Sequence, residues 1–504
     1  MSTRTLASLL LSLAALVLAC SHGEYDHVAV VVNDQSPVSV AIGERYVELR
    51  DIPRRNLVRL SIPVDDPKLG DARHETITRE AFDERIRAPL ETWLAENGED
   101  VHVLVTTKGI PLRVSGPEVA AADLLRASSV ASVDAELAVL GSPLVGSAGI
   151  AGSTNPWLGD PRRFEQFRRE EPAAALRYLV ARLTGYADIE PGDGVPVDVA
   201  RLIDAARAPV DAQALWLVDL DPSLPAAMDA ANELLLAPAA QALAALGLRL
   251  VEDTGPEFVA DVSPIQGYAS WGSNDGHEAA PRTYGEIDGR LYPGRFTGRA
   301  LAVDLVSTNA RTFTRGAEYG QSLIADLVAA GVAGVAGHVA EPTLPAVVRP
   351  HLMLRHYARG EPAIEAYYRA LPHLGWMNVY VGDPLMRLEL ETPPAVPMDG
   401  DGDGILDSRD NCREIPNPRQ RDTDGDGFGN LCDADVNDDG RVTTSWGESF
   451  PRSLRGDVEA IALTVQRGEY DPDHDLDGNH EVDERDVSIA QIYLFAPPGP
   501  GASP

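Results

Sequence analysis

Short apolar runs alternate with stretches of helical spacing along residues 25–391. That alternation predicts an α/β fold, with strands in a mostly parallel sheet and helices covering both faces as three layers. Residues 27–32 (His-Val-Ala-Val-Val-Val) form the first strand candidate, β-branched almost throughout and suited to burial on both faces. Asn33-Asp34 breaks the run, and Ser36-Pro37 can cap and start a helix reaching Leu49. Residues 101–105 are a second strand, followed by Thr107-Lys108-Gly109-Ile110-Pro111. Further strands are expected at 215–220, 267–271, 301–306, 332–339 and 379–381. Helices are expected at 78–96, 171–183, 226–246, 320–330 and 363–370, with Gly185, Gly247 and Gly331 at helix C-termini.

The pattern changes at both ends. Arg4 and the apolar run 6–18 form an export signal over residues 1–20, too short to span a bilayer comfortably. It ends in Val17-Leu18-Ala19-Cys20, read either as a lipobox with Cys20 acylated or as ordinary cleavage near Ala19. After the α/β domain, residues 392–398 make a stiff proline linker. An acidic module follows at 399–434 and 435–496, and then a loose tail at 497–504.

Charge sharpens that division. The chain carries a formal net charge of −34, and from Asp399 onward there are 25 acidic residues against nine arginines and no lysine. Such a tail excludes nucleic-acid binding, which needs an excess of basic residues. With Cys20 in the signal, the remaining cysteines are Cys412 and Cys432, expected to pair in an exported protein and to contribute roughly 3 kcal/mol by loop closure. The α/β domain therefore has no thiol.

The acids of the module fall at calcium-loop spacing. Calcium takes six to eight oxygens, and a loop supplies them from positions 1, 3, 5, 7 (a carbonyl), 9 and 12, with glycine at 6 for the turn. One register is Asp399, Asp401, Asp403, the Ile405 carbonyl, Asp407 and Asp410. A second is Asp422, Asp424, Asp426, the Phe428 carbonyl, Asn430 and Asp433. Another is Asp475, Asp477, Asn479, the Glu481 carbonyl, Asp483 and Asp486, with His480 in the left-handed position. One more begins with Asp435, Asn437, Asp439 and the Arg441 carbonyl. Its twelfth ligand is expected to be Asp457, after an insertion, with Glu448 as the alternative. Short helices should follow the last two loops.

These phrases resemble known families. Residues 399–433, with Asn411-Cys412 and Leu431-Cys432-Asp433, are similar to thrombospondin type 3 repeats. Residues 435–495 resemble a dockerin, which implies a cohesin-like partner recognised through loop positions such as Glu484 and Arg485. Asn33-Asp34, Arg50-Asp51-Ile52-Pro53, Lys108 to Arg113, Ser132 to Leu137, residues 268–275, Glu341-Pro342 and Gly382-Asp383-Pro384 resemble an uncharacterised exported bacterial family of exosortase-carrying species. That family brings no established activity. The glutamate-proline, membrane-helix and basic sorting tail is not read in this chain, so that route to the surface is not expected.

A more distant resemblance is to gingipain-like proteases of the caspase-like fold, which would place Trp271 at the catalytic histidine position and Ser307 at the cysteine position. Neither catalytic residue carries over. Ser307, with His277 or His338 as base, is the remaining catalytic candidate, although a serine after a strand serves more often as a turn or cap. Asp134 and Glu136 are expected at a solvated helix start rather than as a glycosidase pair. Asn33, Asp34, Lys108, Asn274, Asp275, Arg311, His338 and Glu341 all follow strands, where an α/β sheet places its ligands.

The function expected is an exported calcium-binding surface protein. Its α/β domain binds a ligand or partner and joins a calcium-dependent adhesion or docking module. The partner is cohesin-like or a cell-surface protein or polysaccharide, and the membrane is met only through a lipid at Cys20. The alternative is an extracellular hydrolase of polysaccharide or peptide, recruited by a dockerin-like tail.

Overall fold

The structure, a computed structural model, describes residues 23–64, 75–98, 100–115, 130–146, 154–189, 192–220, 230–272, 284–315, 321–340, 344–390, 398–444 and 456–501. The export signal with Cys20, most of the proline linker, and Asn274, Asp275, His277, Glu341 and Glu448 lie outside the described residues.

In chain order, β1 (Val28–Asn33) leads into α1 (Pro37–Leu49), whose N-cap Ser36 accepts from the Ser39 amide. β2 (Leu57–Leu60) and β3 (Thr76–Thr78) follow. Next, α2 (Arg79–Phe82) runs through a π turn (Asp83–Arg87) into α3 (Ala88–Asn97). After β4 (Val103–Thr107), β5 (Arg113–Ser115) and β6 (Val130–Ser132) come α4 (Val133–Ala138) and α5 (Phe164–Glu170). Then come β7 (Leu179–Leu183), α6 (Val197–Ala205), β8 (Leu215–Asp219), α7 (Ala237–Ala245), β9 (Leu250–Asp253) and β10 (Val262–Ser270). The hairpin β11 (Gly285–Ile287) and β12 (Arg290–Tyr292) precedes β13 (Gly294–Asp304), α8 (Ile324–Ala329) and β14 (Gly334–His338). The domain closes with α9 (Pro350–Ala358), α10 (Ala363–Arg369) and β15 (Asn378–Gly382). The acidic module adds α11 (Asp457–Arg467) and α12 (Glu484–Ile492).

Ten strands form one sheet in the order β2-β1-β4-β7-β15-β14-β13-β10-β8-β9. Within each of two sets, β2-β1-β4-β7 and β14-β13-β10-β8-β9, neighbours are parallel. β15 runs antiparallel to β14 and meets β7 through Val381 beside Arg182. Every residue of β1, β4, β7, β14 and β15 is buried, so both faces of the sheet are covered by helices in three layers. The carboxyl ends of both sets share an edge. Lys108, after β4, reaches the Phe313 carbonyl after β13, and Arg113 reaches the Arg311 and Val339 carbonyls.

The helix expected at 171–183 is corrected: 179–183 is the strand β7, and Gly185 follows a strand rather than a helix. Its Arg182, wholly buried, binds Asp134 through two nitrogens and the Ile110 and Pro111 carbonyls. Asp134 and Glu136 do begin a helix, α4, but they are buried rather than solvated, with Arg79 pairing Glu136 at 2.6 Å. A second buried pair, Arg50 with Asp383 at 2.6 Å, ties the end of α1 to the end of β15, and Tyr25 donates to the same carboxylate. Among the described residues no helix is long and apolar enough to cross a membrane.

Candidate functional site

The acidic module repeats one hydrogen-bond ladder. In the loop starting at Asp399, the first carboxylate accepts from the Gly402 and Gly404 amides, Asp401 from Asp403, and Asp403 from Ile405. The Asp422 loop does the same, with Gly425 and Gly427 on Asp422, Asp426 on Asp424, and Phe428 on Asp426. The Asp475 loop repeats it with Asn479 and His480 on Asp475, Asn479 on Asp477, and Glu481 on Asn479. The Asp435 loop keeps its first rung, with Asp439 and Gly440 on Asp435. Position 6 is left-handed in all four, at Gly404 (φ 96°), Gly427 (φ 100°), Gly440 (φ 90°) and His480 (φ 73°). The leading carboxylate of each loop is therefore oriented by backbone amides.

The chemistry of the donor set suits a hard cation, since every ligating atom is oxygen. In three loops, carboxylate oxygens of Asp399, Asp401 and Asp403, of Asp422, Asp424 and Asp426, and of Asp475, Asp477 and Asp486 lie within 4.8 Å of one another. Asp401 and Asp410 each bury one carboxylate oxygen that has no hydrogen-bond partner among the described residues. Burial, and then the neighbouring Asp403 and Asp410 carboxylates, push Asp401 up to about 8. Burial, with Asp426 and Asp424 nearby, holds Asp433 up at about 7. Such crowding is relieved by a divalent ion at the loop centre.

Asp457, expected as the twelfth ligand, lies against the interrupted loop. Asp457, 20 residues from Asn437 and buried, accepts from its side-chain amide and from the Thr443 amide and hydroxyl. Position 9 is different: Asp407 accepts from the Gly400 amide, Asn430 from the Thr423 amide, and Asp483 caps α12 in a capping box. These three close and orient their loops. The cysteines form the expected disulfide, Cys412–Cys432.

The carboxyl edge of the sheet gathers fewer of the expected residues. β1 sends the chain to β2 on one side while β4 lies on the other, so a topological switch point opens between them. A cavity of ≈ 530 Å³ lies there, lined by Ser36, Glu75, Lys108, Arg182, Asp188 and Arg315 among others. Lys108 donates to the Gly185 and Phe313 carbonyls at 2.8 and 3.0 Å, and burial lowers its pKa. Among the described residues expected to make the pocket, Lys108 is the one that lines it. Asn33 spends its side chain clasping Ile62, Gln35 and Gly109, while Asp34 is exposed. Arg311 braces the Thr308 and Gln321 carbonyls. His338 packs at the end of β14, with its ring facing the Val306 carbonyl and burial lowering it to about 4.

No family model, curated protein or solved structure matches the chain. The geometry stands alone. Trp271 and Ser307 do follow the adjacent strands β10 and β13, where the distant protease resemblance puts its dyad. Trp271 is buried, and among the described residues the Ser307 hydroxyl meets Gln321 at 3.0 Å rather than an imidazole. Glu75, Arg182, Asp188 and Arg315 were missed by the sequence reading because charged residues far apart in the chain give no local signal.

The acidic module also lies against the α/β domain. Arg349 donates to the Ile492 carbonyl and Arg355 to the Gly400 carbonyl, while Arg441 and the Phe495 carbonyl both meet Thr154. Arg485 pairs with Glu233 of the α/β domain and, at 3.0 Å, with Asp477. The tail expected to be loose is pinned as far as residue 501, with Gly499 donating to the Cys432 carbonyl and Arg413 to that of Pro500.

Proposed function

We propose that this is an exported protein that binds calcium in its four C-terminal loops and uses the loaded module to brace a ligand-binding α/β domain. The observation that carries the reading is the hydrogen-bond ladder repeated in three loops, where carboxylate oxygens gather, and begun in the Asp435 loop. The resemblances to thrombospondin type 3 repeats and to a dockerin support the same reading. Calcium bound at those centres would neutralise the crowded carboxylates, and the contacts of Arg349, Arg355 and Arg485 would pass that stabilisation to the α/β domain. The domain's own ligand would sit in the switch-point cavity against Lys108. Cohesin-type docking through Glu484 and Arg485 would first have to displace the Arg485–Glu233 pair, which favours a brace over a free adhesion module.

Thermal unfolding of the full-length protein in calcium and in chelator tests this. Calcium at 100 times its dissociation constant adds about 2.7 kcal/mol per site to the folded state. The expected result is one transition, including the α/β domain, that moves upward with calcium. A calcium-dependent step confined to the C-terminal residues, with the large domain melting unchanged, would overturn the bracing role.

A further inference from the structure

A second cavity, ≈ 430 Å³, lies between the acidic module and the α/β domain. Its walls are mostly apolar: Leu234, Leu235 and Leu352 on one side, Ile415 and Ile492 on the other. Set into them is Arg349, 7% exposed, whose guanidinium has one recorded hydrogen bond among the described residues, the 3.0 Å contact with the Ile492 carbonyl. Its Nη1 has no hydrogen-bond partner among the described residues, nor does the buried Tyr493 hydroxyl, and His351 Nδ1 is a third such atom. All three residues line the same cavity. Arg349 and Tyr493 are close enough to act on each other electrostatically.

A guanidinium keeps its charge under any ordinary condition. Buried charges are otherwise found paired, and buried hydrogen-bonding groups satisfied. Of the two acids in the wall, Asp160 pairs with Arg162, and Glu414, near enough to act on Arg349 electrostatically, forms its recorded ion pair with Arg355 at 3.8 Å. A cavity of this size, apolar apart from a few convergent donors, has the make-up of a small-molecule site. We infer that it binds a carboxylate carried on a compact apolar body, the anion lying against Arg349 Nη1 and the Tyr493 hydroxyl. The apolar body would fill the space beside Leu352 and Ile415. This site is separate from the switch-point cavity and from the calcium loops, and it exists only while module and domain stay together.

The test uses full-length protein in calcium, with benzoate as the probe and benzamide as its neutral counterpart at matched ionic strength. Binding is read by calorimetry and by the shift in melting temperature. Benzoate should bind and raise the melting temperature, and benzamide should not. R349M should weaken benzoate ten- to hundredfold, the range for a hydrogen bond to a charged group. Y493F, which keeps the ring and removes one hydroxyl, should weaken it several-fold and carries the test should R349M fail to fold. Equal effects of benzoate and benzamide, no binding of benzoate at all, or undiminished binding to both variants would overturn the proposal. If calcium fails to stabilise the domain but benzoate still binds through Arg349, the bracing role falls and this site stands.

Discussion

Replacing Arg182 with methionine should come close to unfolding the α/β domain. Arg182 is 0% and its partner Asp134 2% exposed at the side chain, and the two are joined by hydrogen bonds of 2.6 and 2.9 Å. Removing one partner of a buried pair costs about 3–5 kcal/mol, because the other charge is left in the interior without compensation. The Ile110 and Pro111 carbonyls lose their donor as well, adding about 1–3 kcal/mol each where the loop cannot relax. A loss of about 5–11 kcal/mol is therefore expected, against a total stability of about 5–15 kcal/mol for a folded domain. Urea unfolding followed by fluorescence of the buried Trp157, Trp271 and Trp376 measures it. The double variant D134L/R182M should recover most of the loss, since well-packed apolar groups can replace a buried pair at little cost. If R182M stays within about 1 kcal/mol of the parent, the pair is not sealed from water, and the loop carrying Lys108 is not held as described.

Further outcomes follow from particular groups. Burial and then Asp253 push Asp219 up to about 7, and burial pushes Asp304 up to about 6. Both folded-state values lie above the unfolded value near 3.9, so the stability they permit is fully present below about pH 4 and is lost as pH rises through 6 to 7. D219N should therefore flatten the decline in stability between pH 4 and pH 8, and an unchanged decline would contradict that burial. H480G replaces a residue held at φ 73° and should strengthen calcium binding at the Asp475 loop several-fold by relieving about 1 kcal/mol of strain, read by calcium titration. The double variant C412S/C432S should lose about 3 kcal/mol and expose residues 497–501 to proteases, since Gly499 is tied to Cys432.

Much of this architecture is legible locally. The Val-rich run of β1 and the Ser36-Pro37 start of α1 lie where spacing and capping chemistry place them. The left-handed His480 follows from its loop position, whereas loop positions leave Asp457 and Glu448 as alternatives for the interrupted loop. What escaped the sequence depends on partners distant in the chain. β7 reads as part of a helix, and its Arg182 is accommodated inside the sheet by Asp134, 48 residues away, with the Ile110 and Pro111 carbonyls. The burial of Glu136 depends likewise on Arg79, 57 residues away. The packing of the module on the domain rests on Arg485 meeting Glu233 across 252 residues, a contact no local pattern encodes. Among the described pocket residues expected from the sequence, Lys108 alone lines the switch-point cavity. A polar residue after a strand can equally close a loop, as Asn33 does, and the difference lies in tertiary contacts.

Calcium titration of the full-length protein by isothermal calorimetry tests the central claim most directly. Four loops with oriented carboxylates predict about four bound ions, with affinities no weaker than the 10⁻⁴–10⁻³ M range of extracellular modules. D457A should remove one of them, because Asp457 bonds to Asn437 of the Asp435 loop and is the proposed twelfth ligand there. No binding at millimolar calcium, or an unchanged stoichiometry in D457A, would contradict the account.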